Sequence, residues 1–192
     1  MIETSLFEGK TIRLTAINLE EDPPVEAEFT KDLDYARLLR PWPVRPISPF
    51  ELKKLHEERI KRRGEFEQDY YFAVRPKNEE RFIGFIRIPH IGWSHSNGLM
   101  QMAIGDPAWK GQCELEALNL LLTYAFHELN LYRLNVLVPE YDQEGIHLFE
   151  QAGFTCEVRQ REILYQADRY WDLLLYGILS DEWHRQQMEV KG

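Results

Sequence analysis

Four side chains in this sequence have the chemistry for nucleophilic attack or proton transfer. Cys113 stands just before a helical pattern, and a helix N-terminus lowers the pKa of a thiol. Glu140 lies just past an apolar strand pattern, and His90 and His95 follow another strand; a carboxylate or an imidazole can remove a proton from a substrate. No His or Asp at a readable spacing supports Cys113 as a nucleophile. Each of the three candidate bases could instead be an ordinary solvated surface residue.

The metal-ligating residue types are few and scattered. The six histidines form no zinc-finger spacing with Cys113 or Cys156, so the sequence predicts no metal site. These two cysteines are also too few for a disulfide framework, which favours a reduced, cytoplasmic protein.

Length and charge narrow the class of protein further. The 192 residues, of which 44% are hydrophobic, predict one domain over residues 1–192. The 23 basic and 32 acidic residues give a net charge of −9, which does not fit a nucleic-acid-binding protein. No apolar stretch is long enough to span a membrane and the first residues do not resemble a secretory signal, so we expect no membrane partner.

The first half of the chain predicts one strand, two helices and three further strands. A strand is expected over 10–17 and a helix over 25–39, followed by a proline-rich loop that carries Trp42. Ser48 and Glu51 are typical of a capping box, with a helix that runs to Arg63 and stops at Gly64. The following strands are expected over 70–74, 82–88 and 99–104.

The second half predicts helix, strand, helix and two strands. Apolar residues at helical spacing indicate a helix over 114–129, with one face made by Leu115, Leu118, Leu121, Leu122, Ala125 and Phe126. A strand over 133–138 should run parallel to 99–104, because a crossover helix joins them. A helix over 143–151 and strands over 154–164 and 170–179 follow. The fold class is therefore α+β: a mixed, mostly antiparallel sheet of six to seven strands with a parallel pair in the middle and helices on both faces.

Five segments of the second half, taken in order, resemble the motifs of one family. They are 106–111 (DPAWKG), 116–126 (EALNLLLTYAF), 130–134 (NLYRL), 146–154 (IHLFEQAGF), and 170–172 (YWD) with 179–183 (LSDEW). In these segments the chain resembles the GCN5-related N-acetyltransferase (GNAT) superfamily, in its branch of ribosomal-protein alanine acetyltransferases.

The resemblance implies acetyl-CoA as the co-substrate and assigns residues to it. Backbone amides of the fourth strand would pair with the pantetheine arm, and N–H groups at the head of the long helix would hold the pyrophosphate. A base, Glu140 or His90, would take the proton of the amine. The implied cofactor-binding residues are Met102, Ala103, Ile104, Gly111, Gln112, Cys113, Glu114 and Asp142.

The chain departs from the family pattern at three places. The pyrophosphate loop is one residue short and keeps only Gly111 of its glycines, so that Glu114 brings a carboxylate to the place of the anion. Asp142 replaces an asparagine that contacts the pantetheine arm. Phe149 replaces a tyrosine proposed as the general acid, and it has no proton to give.

Three functions remain open on these residues. The first is an N-acetyltransferase that transfers the acetyl group of acetyl-CoA to a primary amine, a peptide N-terminus or a small amine, by direct attack. The alternative is a GNAT-fold binding or regulatory protein that has lost acyl-CoA catalysis, and a third class would use another donor in the same fold. The aromatic residues of the closing strands leave a homodimer open.

Overall fold

The computed structural model of the chain describes residues 6–39, 44–61 and 69–189. Strands and helices alternate irregularly along these residues. In chain order they are β1 (Ile12–Thr15), α1 (Asp22–Phe29), α2 (Leu33–Leu39), α3 (Pro49–Lys61), β2 (Tyr70–Pro76), β3 (Gly84–Gly92), β4 (Asn97–Ile104), α4 (Glu114–Thr123), β5 (Arg133–Pro139), α5 (Gln143–Gln151), β6 (Thr155–Gln166), β7 (Arg169–Leu179) and α6 (Ser180–Glu189).

The seven strands are hydrogen-bonded in the order β1-β2-β3-β4-β5-β7-β6. β4 and β5 are parallel, with Asn97–Met100 opposite Arg133–Val136. β1–β2, β2–β3, β5–β7 and β6–β7 are antiparallel. The predicted α+β class, the mostly antiparallel sheet and its parallel pair are thereby confirmed.

The chain forms two compact units. The first comprises Met1–His90 and Gln101–Leu121, and the second comprises Ile91–Met100 and Leu122–Gly192. The first unit has an aromatic-rich core, in which Tyr71 stacks on Phe85 at 5.4 Å between ring centroids. In the second unit the antiparallel ladder of β5, β7 and β6 is joined by α6, whose Trp183 packs on Phe126 at 5.5 Å.

The prediction of one continuous helix over 25–39 is wrong, because the chain forms two helices there, α1 and α2. Thr30 follows the last residue of α1, and its hydroxyl donates to the carbonyl of Ala27 at 2.8 Å and accepts the N–H of Ile47 at 2.9 Å. The carboxylate of Asp32 accepts the N–H of Asp34 at 2.8 Å and caps α2. A continuous helix would have paired the carbonyl of Ala27 and the N–H of Asp34 internally, and here the side chains of Thr30 and Asp32 pair them instead.

The long helix keeps its predicted start and most of its predicted buried face but changes its winding, and Leu115 of that face is only half-buried. Leu118, Leu121 and Leu122 are fully buried, as the apolar spacing predicts. Over Tyr124–Glu128 the helix widens into a π-helical turn, so that α4 itself ends at Thr123.

The helix α6 was not predicted, although its start carries a recognisable signal. The carboxylate of Glu182 accepts the N–H of Leu179 at 2.9 Å, which pairs an N–H group that precedes the first helical turn. The N-terminal signal of α3 was read correctly, since the Ser48 hydroxyl accepts the N–H of Glu51 at 3.2 Å. Its predicted end at Gly64, and the loop with Trp42, lie outside the described residues. None of the helices described here has the length and apolar composition needed to cross a membrane.

Candidate functional site

The loop between β4 and α4 is held in place by Asp106. Its backbone carbonyl accepts the N–H groups of Trp109 and Lys110 at 3.0 and 3.1 Å, and its carboxylate accepts the N–H of Ala108 at 2.9 Å. The Arg81 guanidinium donates to the same carboxylate at 2.5 Å. The segment after β4 therefore has a fixed shape before it reaches Gly111.

Gly111 turns the chain toward α4 in a conformation that favours glycine. Its φ of +78° lies in the left-handed region, although open space surrounds the position where a Cβ would stand. The glycine is required by backbone conformation and not by crowding. The amide of Gln112 turns back and donates to the carbonyl of Ala108 at 2.9 Å.

The carboxylate of Glu114 occupies the head of α4. One oxygen accepts the N–H of Gly111 at 2.6 Å, and the other accepts the N–H of Cys113 at 3.1 Å. A side-chain anion is thus hydrogen-bonded to two N–H groups of the segment where the family resemblance places the pyrophosphate. That this carboxylate takes the place of the pyrophosphate stays a prediction.

Cys113 is buried beside this carboxylate and points back into the loop. Its thiol lies 3.6 Å from the carbonyl of Trp109. Burial, and then the nearby carboxylates of Glu114 and Glu116, raise the pKa of the Cys113 thiol to about 12. The thiol therefore stays protonated at neutral pH, which argues against a nucleophilic role.

The end of β4 is packed closely against the start of β3. A Cβ on Gly84 would stand 2.3 Å from the backbone oxygen of Ala103, so only glycine permits this approach. The N–H groups of Gly105 and Asp106 both donate to the carbonyl of Ile83, at 2.9 and 3.1 Å. The three predicted pantetheine-binding residues, Met102, Ala103 and Ile104, lie on this buried strand end.

Glu140, one predicted base, is engaged in an ion-pair network beyond the end of β5. Its carboxylate accepts from the Arg159 guanidinium at 2.7 Å and from the N–H of Asp172 at 3.3 Å. Arg159 also binds the carboxylate of Asp172 at 2.6 Å. The hydrogen bond from Arg159, followed by that from the Asp172 backbone, lowers the pKa of Glu140, which makes it a weaker base.

His90, the other predicted base, lies in β3 with an exposed side chain. An exposed imidazole can exchange protons with solvent and with a bound amine.

Asp142 caps α5, the helix that carries Phe149. Its carboxylate accepts the N–H of Gly145 at 2.9 Å, the hydrogen bond expected of an N-cap residue. Phe149 is buried and meets Phe154 edge-on at 5.4 Å between ring centroids. The aromatic ring at this position therefore belongs to a packed cluster.

A buried polar cluster in the first unit was not predicted. The carboxylate of Glu26 bonds the Nε2 of His56 at 2.7 Å and lies 3.3 Å from the hydroxyls of Tyr35 and Tyr71. Arg59 donates to the Nδ1 of His56 at 3.2 Å, so this nitrogen is the acceptor and Nε2 carries the proton. Glu26 and His56 are 0% and 1% exposed. Glu26 and His56 lie 30 residues apart in the sequence, and only the fold brings them together.

Within residues 6–39, 44–61 and 69–189, no group of three or more His, Cys, Asp and Glu side chains is arranged to hold a metal ion.

The sequence matches the family model described as the acetyltransferase (GNAT) domain over residues 12–155. This match runs from the first residue of β1 to the first residue of β6. The chain belongs to the GNAT acetyltransferase family.

Three known proteins illustrate the relationship. The spermidine N(1)-acetyltransferase of Escherichia coli (strain K12) is 29% identical over 140 residues, which cover 70% of this chain and 72% of that protein. A Bacillus subtilis (strain 168) protein named as a ribosomal N-acetyltransferase is 33% identical over 67 residues, or 35% of this chain and 37% of that protein. The crystal structure of spermidine N-acetyltransferase from Vibrio cholerae in complex with CoA and spermine has a TM-score of 0.77 at 22% identity, covering 92% of this chain and 99% of that chain.

Proposed function

We propose that this protein transfers the acetyl group of acetyl-CoA to the primary amine of a small cationic amine. The observation that carries the proposal is the family match from β1 to the start of β6, which includes the parallel pair β4–β5 and the loop into α4. Within the first unit, we place the thioester and the pantetheine arm of the donor at the end of β4.

A small polyamine is the acceptor class that we favour. The E. coli and V. cholerae relatives are both named for spermidine acetylation, and their matches cover more than two thirds of this chain. The net charge of −9 favours the approach of a polycation over that of an anion. A peptide N-terminus is the second candidate, supported by the shorter match to the protein named as a ribosomal N-acetyltransferase.

The reaction that follows from this assignment is a direct transfer. The neutral amine nitrogen attacks the thioester carbonyl carbon, the C–N bond forms, and the C–S bond then breaks to release the CoA thiolate. Backbone N–H groups at the end of β4 would polarise the carbonyl, and the proton lost by the nitrogen goes to a base. Phe149 cannot donate a proton to the thiolate, so the thiolate takes one from water or from a neighbour such as Tyr141. A thiolate is a tolerable leaving group without this help.

Of the two predicted bases we favour His90. Glu140 is already hydrogen-bonded to Arg159 and Asp172, which lowers its proton affinity, whereas His90 is exposed. In matched variants, His90→Gln should lower kcat/KM by about 10²-fold or more, and Glu140→Gln should have the smaller effect. The reverse order would assign the proton transfer to Glu140, and two near-normal variants would exclude both residues.

One observation favours the alternative of a binding or regulatory protein on this fold. The Glu114 carboxylate already uses the N–H groups of Gly111 and Cys113. If that arrangement abolished donor binding, acetyl-CoA at millimolar concentration would not raise the melting temperature. Ligand at about a hundred times its Kd adds about 2.7 kcal/mol of stability, which such a measurement detects.

A homodimer is part of the proposal. The last two strands expose apolar side chains to solvent, with Ile163, Tyr165 and Tyr170 all more than half exposed. Exposed apolar groups on neighbouring strands are typical of a contact surface. Light scattering during size-exclusion chromatography should give twice the mass of 22.9 kDa for the native chain, and Tyr165→Glu should reduce it. A monomeric mass at micromolar concentration would contradict the dimer.

The acceptor class is tested by competition in one tube. Spermidine and a short peptide with an N-terminal alanine, at equal concentration, share a limiting amount of acetyl-CoA, and both products are measured by mass spectrometry. We expect acetylated spermidine to predominate. If the acetylated peptide predominated, the acceptor class would instead be peptide N-termini.

A further inference from the structure

We propose that Glu114 is a donor-specificity residue, whose carboxylate replaces the diphosphate of the donor at the head of α4. This inference rests on the proposed acetyltransferase activity. It follows that the diphosphate of acetyl-CoA contributes little to donor recognition, and that the enzyme selects its donor mainly through the pantetheine arm and the acetyl thioester.

Glu114 uses two N–H groups of the loop. Gly111 donates to one carboxylate oxygen at 2.6 Å and Cys113 donates to the other at 3.1 Å, so both oxygens of the anion are engaged. The next N–H along the loop, that of Gln112, donates to the carbonyl of Trp109 at 3.1 Å. All three N–H groups from Gly111 to Cys113 therefore have partners inside the protein.

A diphosphate could reach the N–H groups of Gly111 and Cys113 only by displacing the carboxylate. The displaced Glu114 would remain at the start of α4 as a negative charge beside the diphosphate, and like charges at this range repel. Since both anions would accept from the same N–H groups, the exchange of one anion for the other yields little net gain. Alanine at this position would remove both the competing acceptor and the repulsion, and glutamine would remove the negative charge.

The pantetheine arm is recognised by other residues. The end of β4 is fixed by β3 through Gly84 and the carbonyl of Ile83, and Glu114 takes no part in these contacts. Removal of the diphosphate from the donor should therefore leave this part of the recognition intact.

The experiment compares two donors across four proteins. The donors are acetyl-CoA and S-acetylpantetheine, which lacks the diphosphate and the nucleotide, and the acceptor is spermidine at a fixed concentration. The proteins are the native chain, Glu114→Gln, Glu114→Ala and Glu128→Gln. The last variant removes one negative charge from an exposed position beyond the end of α4 and serves as the matched control. Melting temperatures verify that each variant is folded.

We expect the native chain and Glu128→Gln to use the two donors with kcat/KM values within about tenfold of each other, which is about 1.4 kcal/mol. In Glu114→Gln and Glu114→Ala, the preference for acetyl-CoA should rise by about tenfold or more. Calorimetric titration provides a readout without turnover: CoA should bind both Glu114 variants more tightly than it binds the native chain.

The inference would be overturned if the native chain preferred acetyl-CoA several hundredfold and the Glu114 variants did not change this preference. The proposed acetyltransferase activity would still stand in that case. Weaker CoA binding in both Glu114 variants would also overturn the inference. Absence of transfer from either donor in all four proteins would instead contradict the proposed function, and the donor inference with it.

Discussion

At the scale of single residues, Glu114 and Cys113 show how a loop is adapted around one carboxylate. Glu114 satisfies the N–H groups of Gly111 and Cys113. The same carboxylate stands near the buried thiol of Cys113 and, together with burial, holds it in the protonated form. The two hydrogen bonds follow from Glu114 itself, whereas burial is the larger cause of the raised pKa of Cys113.

Replacement of Cys113 by alanine tests the absence of a covalent intermediate. Because the pKa of this thiol is raised to about 12, it is neutral below that pH and does not attack a thioester. Cys113→Ala should keep kcat within about threefold of the native value, with a small loss of stability from the lost buried sulfur. The Cys156→Ala variant is the exposed control. An acetylated Cys113 trapped during turnover and detected by mass spectrometry would contradict direct transfer.

Asp142→Asn separates the capping role of this residue from the donor contact that the family resemblance implies for it. Asparagine and aspartate are equally good N-cap residues, so the hydrogen bond from Gly145 and the melting temperature should be retained. The amide adds an N–H donor, and KM for acetyl-CoA should fall by up to about fivefold, as expected of one hydrogen bond. Asp142→Ala, which loses the cap, should melt lower. An unchanged or higher KM in Asp142→Asn would remove Asp142 from the donor site.

At the scale of elements, the helices of the first unit are fixed by a buried carboxylate. Glu26 of α1 reaches His56 of α3 and Tyr71 of β2, and it is fully buried. Such a group stabilises the arrangement only while its partners are present, because an unpaired buried polar group is costly.

Glu26→Ala should therefore lower the free energy of unfolding by about 3–5 kcal/mol, since it leaves His56 and two tyrosine hydroxyls without their acceptor. Glu28→Ala on the same helix is the control, because its ion pair with Lys31 is two-thirds exposed and should contribute at most about 1 kcal/mol. Urea unfolding of both variants gives the comparison. Equal decreases in the free energy of unfolding would show that the buried cluster contributes no more to stability than the exposed ion pair does.

Elements with strong local signals could be predicted, and those decided by side-chain competition could not. Ser48 gave the correct start of α3, and the apolar spacing of Leu118, Leu121 and Leu122 gave the buried face of α4. The break between α1 and α2 depends on Thr30, whose hydroxyl bonds Ile47 far along the chain. Such a long-range contact leaves no trace in local periodicity.

In the candidate site, too, local features could be predicted from the sequence and long-range contacts could not. The loop at Gly111 and the position of Glu114 were predicted, because the family motif and the start of the helix meet there. The network that Arg159 makes with Glu140 and Asp172 was missed, since these residues come from β6, β7 and the end of β5. The assignment of a base depends on this network, and sequence spacing cannot reveal it.

At the scale of the whole molecule, the prediction of one domain can be tested by unfolding. Two compact units are present, yet β4 contributes residues to both, and the family match spans both. We expect a single cooperative transition, with equal calorimetric and van't Hoff enthalpies. Two resolved transitions, or a van't Hoff enthalpy well below the calorimetric one, would show that the units unfold independently.

Acetyl transfer to a small amine is tested directly by the release of CoA thiol from acetyl-CoA in the presence of spermidine. The amine product is identified by mass spectrometry. Reactions without protein and without spermidine are the controls. We expect thiol release that depends on both protein and spermidine, with one acetylated spermidine formed for each thiol released. No thiol release above the controls with spermidine, spermine or an N-terminal alanine peptide would contradict it.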